Sequence, residues 1–253
     1  AFISCQEQDL SRNGVPKDII ESLKAAGFDT DHNLYAYQDG YLVENDIFLT
    51  ADQIHELAKP VSAGKHGSEE HYRTTNLVTA ISTIKVWFDP AFGANNKVEF
   101  DAAIARYNAL NLTLTFQSVA TEPEANIAIK SFYENSSVLG RSAGFPTSTG
   151  YPASPITLNT KYYSSTLAVR GDTKTVIAHE IGHAIGFRHT DYMNRKYSCG
   201  PGPGSNEGTA GVGAILIPGT PTGPDANSWM LACSSGKDRP FTTNDQTALT
   251  TVY

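Results

Sequence analysis

Eleven residues constrain this chain more than all the others: His179-Glu180-Ile181-Gly182-His183-Ala184-Ile185-Gly186-Phe187-Arg188-His189. On an α-helix, residues four apart share a face, so His179 and His183 aim their imidazoles at one point while Glu180 stands about 100° round from His179. If the helix ran on to His189, six further residues at about 100° each would carry that side chain away from the point. Gly186 removes the difficulty, because glycine takes a positive φ without a Cβ penalty and can end the helix there. A turn at Gly186 brings His189 back as a third imidazole. The bland alternative is a chance grouping of histidines on a core helix. With 7 His and 21 Gly in 253 residues, the five fixed positions would coincide on the order of once in 10⁵ such chains. The pattern predicts a helix over 173–186, three metal ligands (His179, His183 and His189) and a carboxylate base (Glu180). Imidazoles in this number suit Zn2+, which is the expected cofactor.

The rest of the chain narrows what such a site can serve. A formal net charge of −7 and a pI near 5.5, with no Lys/Arg cluster, exclude the electrostatic footprint of a nucleic-acid or anionic-membrane partner. No apolar run approaches the ~18 residues of a transmembrane segment. Ala1-Phe2-Ile3-Ser4 reads as the stub of an export leader, which makes a secreted, extracellular location the expectation. A monomer is expected. There are three cysteines, Cys5, Cys199 and Cys233. The last two flank a Gly/Pro-rich stretch from Gly200 to Pro224, and they read either as a disulfide that tethers a long loop or as two separately buried thiols. A disulfide there would contribute roughly 3 to 4 kcal/mol in the chain-entropy model. Cys5 is left over.

Apolar spacing predicts a short helix over 15–26, stopped by Gly27. Leu34 to Tyr37, Tyr41 to Val43 and Ile47 to Thr50 read as strands, the first two joined by an Asp39-Gly40 turn, with a second helix over 51–58. Residues 59–70 have neither period nor core and read as a linker open to proteolysis. The first 70 residues are therefore expected to be a small α+β unit of their own, ahead of a domain over 71–253. In that domain strands are expected at 84–88, 112–119, 126–132 and 155–159. Helices are expected over 98–110 and 173–186, and a last helix, capped by Asn244 or Asp245, should run to Val252.

The eleven-residue pattern resembles that of the metzincin zinc peptidases, and the word H-E-I-G-H followed by Ala184-Ile185-Gly186-Phe187 and His189 resembles their bacterial astacin-like branch. The resemblance implies an α+β fold with an α/β-like upper subdomain: a twisted, mostly parallel sheet, an active-site helix and a methionine turn, preceded by a small α+β propeptide. Ser228-Trp229-Met230 fits the turn, with Met230 as its methionine. Where astacins carry a tyrosine two residues after that methionine, this chain has Ala232, so no tyrosine is assigned to the oxyanion. Leu139 to Pro146 resembles the sheet-edge segment that receives extended substrate, with Ser142, Ala143 and Gly144 as its contacts; the alternative is an ordinary surface loop. The implied activity is that of a metalloendopeptidase acting on protein or peptide substrates. Glu180 would take a proton from water at the fourth zinc position and pass it to the leaving amine. Asp191 is either an orienting partner for a histidine or, by preference, an exposed capping residue.

Matrixins, another metzincin branch, keep themselves inactive with a propeptide cysteine on zinc. By that resemblance Cys5 is expected to be the fourth ligand of a latent form that waits for an activating protease to remove residues 1 to about 70. Two rivals stand beside it. Phe2-Ile3-Ser4-Cys5 is a loose lipoprotein-type box, which would make Cys5 a lipid anchor, and Val43-Glu44-Asn45-Asp46-Ile47 resembles the astacin propeptide region whose aspartate, here Asp46, caps the metal. Two other functions remain: a thermolysin-like peptidase with a downstream Glu as third ligand, which His189 and Met230 disfavour, and a purely structural zinc site, which Glu180 disfavours because a closed site needs no base.

Overall fold

Helix α1 (Lys17–Ala25) buries Ile19 and Leu23, four residues apart on one face. Strands β1 (Tyr35–Tyr37), β2 (Gly40–Val43) and β3 (Ile47–Leu49) form an antiparallel meander. Helix α2 (Ala51–Leu57) follows, its first turn closed by a reciprocal capping box between Thr50 and Gln53. The computed structural model describes residues 14–26, 28, 30–31, 34–44, 46–58, 71–200, 214–221 and 223–253. The first hairpin turns one residue earlier than its Asp-Gly pair suggests. Gln38 takes the positive φ, 52°, and Gly40 is already paired with Tyr37. Glycine at 40 answers a close approach, since a β-carbon there would stand 2.5 Å from the Leu49 carbonyl oxygen.

Beyond residue 70 the elements are β4 (Tyr72–Arg73), β5 (Thr83–Phe88), α3 (Gly93–Asn108), β6 (Thr115–Val119), β7 (Ile127–Phe132), β8 (Gly140–Ser142), β9 (Ile156–Asn159), α4 (Thr173–Ala184), α5 (Lys196–Cys199), β10 (Ile215–Leu216) and α6 (Thr243–Val252). Helix α3 buries Asn96, Phe100, Ala103, Ile104 and Tyr107, a spacing that keeps one stripe against the sheet. In β5, Ile84, Val86 and Phe88 point inward, while Thr83 and Lys85 are exposed. That alternation is what a strand with one buried face requires. The cap of α6 is Thr242, which forms a capping box with Asp245, and neither Asn244 nor Asp245 serves as the cap. Asp245 is the N3 partner, held there because its carboxylate also accepts the backbone N–H groups of Thr242 and Trp229.

Among the described residues the main sheet runs β1-β2-β3-β8-β9-β7-β5-β6. Strands β9, β7, β5 and β6 are mutually parallel, β8 is antiparallel to β9, and β3 joins β8 in parallel through Ile47 and Ser142. The result is a mixed α/β fold with a mostly parallel sheet in its larger part. Two apolar cores lie on it. The larger is built from β5, β6, β7, β9, α3, α4 and α6 and includes Phe100, Ile129, Trp229 and Met230. The smaller contains Val15, Ile19, Leu23, Phe28, Leu34, Val43, Ile47, Leu49 and Ile54 from the N-terminal segment, together with Phe145 from beyond β8. The N-terminal strands thus share the sheet of the larger part while keeping a core of their own.

Candidate metal centre

Helix α4 carries His179, Glu180 and His183, all buried. It ends at Ala184, two residues short of the predicted boundary, in a glycine-terminated turn. The Gly186 N–H donates to His183 O (2.9 Å) and the Phe187 N–H to Gly182 O (2.9 Å), with Gly186 at φ 107°. This pair of bonds satisfies carbonyls that the helix end would otherwise leave open. The chain then reverses, Arg188 N–H donates to Tyr72 O (2.9 Å), and Thr190 N–H donates to Met230 O (2.9 Å). His189 is thereby returned to the face that His179 and His183 occupy, as the spacing predicts.

The imidazole geometry fixes the protonation of two rings. His179 Nδ1 lies 2.9 Å from Trp229 O and His183 Nδ1 lies 2.8 Å from Phe187 O. A carbonyl oxygen only accepts, so each Nδ1 carries the proton and each Nε2 presents a lone pair. Those lone pairs converge: His183 Nε2 is 3.0 Å from His179 Nε2 and 3.2 Å from His189 Nε2. Lone pairs facing one another in a buried space repel unless a cation stands between them, so the residues fit a metal ion. Burial first, then the neighbouring His189, lowers His179 to a pKa of about 4, which keeps it neutral and available as a donor.

A fourth donor comes from the N-terminal segment. Asp46 Oδ2 is 3.0 Å from His189 Nε2 and 3.9 Å from His179 Nε2. Asp46, His179, His183 and His189 each offer an atom within 4.8 Å of the others. Burial raises Asp46, but His189, Arg195 and His179 outweigh it and hold the carboxyl below the usual carboxylate range. Glu180 behaves oppositely: burial, then the Asp46 charge, pushes it well above its ordinary value. Among the described residues its Oε2 and Asp46 Oδ1 are buried without a hydrogen-bond partner, as polar atoms that wait on a further group are. The imidazoles of His179, His183 and His189 together with the Asp46 carboxylate make a chemically coherent donor set for a metal ion.

Beneath the helix, Gly182 lets Met230 approach. A β-carbon at 182 would stand 2.5 Å from the Met230 sulfur and 3.2 Å from Trp229 Nε1. Trp229 Nε1 donates to Tyr107 OH (3.2 Å), which donates to Ala178 O (2.7 Å). This fixes the Trp229-Met230 segment under the ligands. Cys199 and Cys233 form a disulfide. Asp191 is buried, at 2% exposure, and not exposed as the sequence suggests. Its carboxylate accepts the Ala232 N–H and the Ser198 hydroxyl, so it ties the chain after His189 to the segment after Met230. Cys5 lies outside the described residues.

The segment expected to receive substrate is occupied by the chain itself. Ser142 N–H donates to Asp46 O (2.9 Å), Gln53 Nε2 donates to Ala143 O (3.1 Å), and a β-carbon at Gly144 would stand 2.5 Å from Leu49 Cδ2. Arg141 is buried between Glu134 (2.7 Å) and the Tyr37 hydroxyl (2.9 Å), its guanidinium over the rings of Tyr37 and Phe132. A cleft of about 350 Å³ opens beside the histidines, with Asp46, Gly140, Val176, Glu180, Arg195 and Leu231 among its walls. Gly140, Arg188 and Arg195, which the structure sets close to the centre, stand out as individual positions in no reading of the sequence. Arg188 and Arg195 carried a signal only in hindsight, as charges beside a metal-ligand motif where burial demands a counter-ion. The family model described as dual-action HEIGH metallo-peptidase matches residues 41–253. No curated protein matches the chain.

Proposed function

The chain belongs to the dual-action HEIGH metallo-peptidase family, and on that footing we propose that it is a secreted zinc-dependent endopeptidase of metzincin type in its latent form, with residues 1–70 as the propeptide. The observation that carries this reading is the Asp46 carboxylate, 3.0 Å from His189 Nε2, on a segment that also runs along β8. A single stretch of chain thus fills the fourth donor position and covers the strand where a peptide would lie. In this reading the capping ligand is Asp46, the alternative that the sequence offered beside Cys5. The Cys199–Cys233 disulfide supports an oxidising, extracellular setting.

Bound zinc supplies the acidification of water and the polarisation of a peptide carbonyl. Glu180 then accepts the water's proton at Oε2 and returns it to the leaving amine nitrogen. Its raised affinity for a proton in the latent form comes from burial and from Asp46, so departure of Asp46 lowers that affinity and readies the carboxylate as a base. His179 and His183 are held in the ligand tautomer by the carbonyls of Trp229 and Phe187, and Met230 supports the helix that bears them.

Casein hydrolysis before and after limited proteolysis within residues 59–70, with and without a chelator, tests the reading. Activity is expected only once the cut N-terminal piece has left or been degraded, and only without chelator. Asp46→Ala should raise the activity of the uncut chain, whereas Cys5→Ala should not. Glu180→Ala should retain zinc and lose hydrolysis by about 10²-fold or more. No turnover after removal of the N-terminal unit would favour a structural metal site instead.

A further inference from the structure

Two arginines beside the third histidine are held by the N-terminal segment. Arg188 Nη2 donates to Glu44 Oε1 at 2.5 Å, and Arg195 Nη1 donates to the Glu44 main-chain oxygen at 2.9 Å. Both arginines are buried, at 1% and 5% exposure, as is Glu44. The Glu44 carboxylate also lies 4.0 Å from His189 Nδ1, so this ion pair borders the metal ligands. Arg195 lines the cleft together with Asp46, His179 and Glu180, and its charge helps hold the Asp46 carboxyl down. Glu44 delivers its side chain from a backbone φ of 57°, a conformation uncommon outside glycine. The Arg188 guanidinium lies over the Phe28 ring, 4.6 Å from its centroid.

These contacts come from Phe28, Glu44 and Asp46, upstream of residues 59–70, whereas Arg188 lies within the metal motif, just before His189, and Arg195 follows it. Loss of the N-terminal unit takes the Glu44 and Asp46 carboxylates away, leaves Arg195 on the cleft wall and removes the Glu44 and Phe28 cover from Arg188. A guanidinium drawn out of water is stabilised by a carboxylate with good hydrogen-bond geometry, and Arg suits that pairing because its donors form a planar fork. We propose that in the activated enzyme Arg188 and Arg195 form a subsite for an acidic side chain of the substrate, on the His189 side of the metal, and that Glu44 stands in for that side chain in the latent form. The inference rests on the endopeptidase reading and names its substrate class: extended peptides with Glu or Asp beside the scissile bond.

The test uses the full chain activated by limited proteolysis and internally quenched peptides with both termini blocked, so that only side chains bring carboxylates. Glu and Gln are exchanged in turn at each position flanking the scissile bond. The expected result is a kcat/KM ratio for Glu over Gln of about tenfold or more at one position. Arg195→Gln and Arg188→Gln should each move that ratio toward one. If Arg188→Gln does not fold, the wild-type ratio and Arg195→Gln still decide the matter. Efficient cleavage of neutral peptides with no Glu preference at any position would overturn the subsite while leaving the peptidase reading intact. Absence of cleavage of every peptide would overturn both.

Discussion

The Glu180 carboxylate is seated against Gly140: a β-carbon at that glycine would stand 2.8 Å from Glu180 Oε1 and 3.2 Å from its Cδ. Strand β8 therefore does more than border the cleft, since it leaves the space in which the Glu180 carboxylate sits. The same hypothetical atom would meet Leu158 Cδ2 at 2.9 Å, so an added methyl group is crowded on a second side as well. Gly140→Ala is expected to displace Glu180 and lower kcat of the activated enzyme by about tenfold or more, because small misplacements of a catalytic group are costly. Zinc content, measured by metal analysis, should be unchanged. A variant with full kcat would show that Glu180 tolerates the shift.

Gly186 makes a second prediction of a different kind. Its φ of 107° and its neighbours Asn76 O, Leu77 Cδ2 and Thr74 Oγ1, each 3.1 Å from a hypothetical β-carbon, leave an alanine strained and crowded. Gly186→Ala should cost about 1–3 kcal/mol in urea denaturation. It should also weaken zinc binding, because this turn returns His189 to the cluster. Loss of stability without loss of metal affinity would mean that His189 is positioned by other contacts.

A third prediction concerns acid. Burial raises Asp172, but the hydrogen bonds from Arg170 and Ser234 outweigh it, so its carboxyl sits below the usual carboxylate range. Arg170 reaches it through Nε (2.9 Å) and Nη2 (2.8 Å), and Ser234 through its hydroxyl (2.6 Å). A depressed folded-state pKa gives stability that is complete above the unfolded value near 4 and is lost as pH falls through the lower folded value. Asp172→Asn should therefore cost about 2 kcal/mol at pH 7 and progressively less below about pH 4. Urea midpoints measured across that range would check it. Parallel curves for the two proteins would remove Asp172 from the acid response.

Removal of the metal supplies a fourth. Three imidazole nitrogens 3.0 and 3.2 Å apart are unfavourable neighbours without a cation, and a ligand that binds only the folded state stabilises by mass action. A chelator should lower Tm, and added zinc should restore it. Asp46→Ala should reduce that recovery in the uncut chain. An unchanged Tm on chelation would argue against metal at this cluster.

How much of this was legible beforehand follows from the length scale of each signal. Helices α1 and α3 were visible because their buried residues recur at helical spacing, and α4 because the His179–His183 spacing asks for a helix, since its burial on all sides leaves no such recurrence. The helix-ending turn was visible because only Gly186 could make it. Strand β8 was suggested only by the family resemblance of Leu139 to Pro146, since Gly140-Arg141-Ser142 has no apolar alternation: its burial comes from Glu134, Tyr37 and the segment at Asp46. The two-residue strands β4 and β10 are too short to carry a period at all. The exposure expected for Asp191 failed for the same reason as the strand assignment, because the carboxylate is covered by Ser198 and Ala232 through a disulfide-bounded loop. The grouping of His179, His183 and His189 could be placed from the motif alone. The fourth donor could not be chosen from sequence, since nothing in the order of residues says which distant side chain reaches the cluster.

Phe145 belongs to the small core of the N-terminal segment, stacks near Phe28 with ring centroids 6.1 Å apart, and meets the His183 ring edge-on at 5.7 Å. Scission of the linker changes none of these contacts. The nicked chain should therefore persist as a two-piece complex, and activity should emerge with dilution or with destruction of the smaller piece, as a dissociation equilibrium and not as an immediate consequence of the cut.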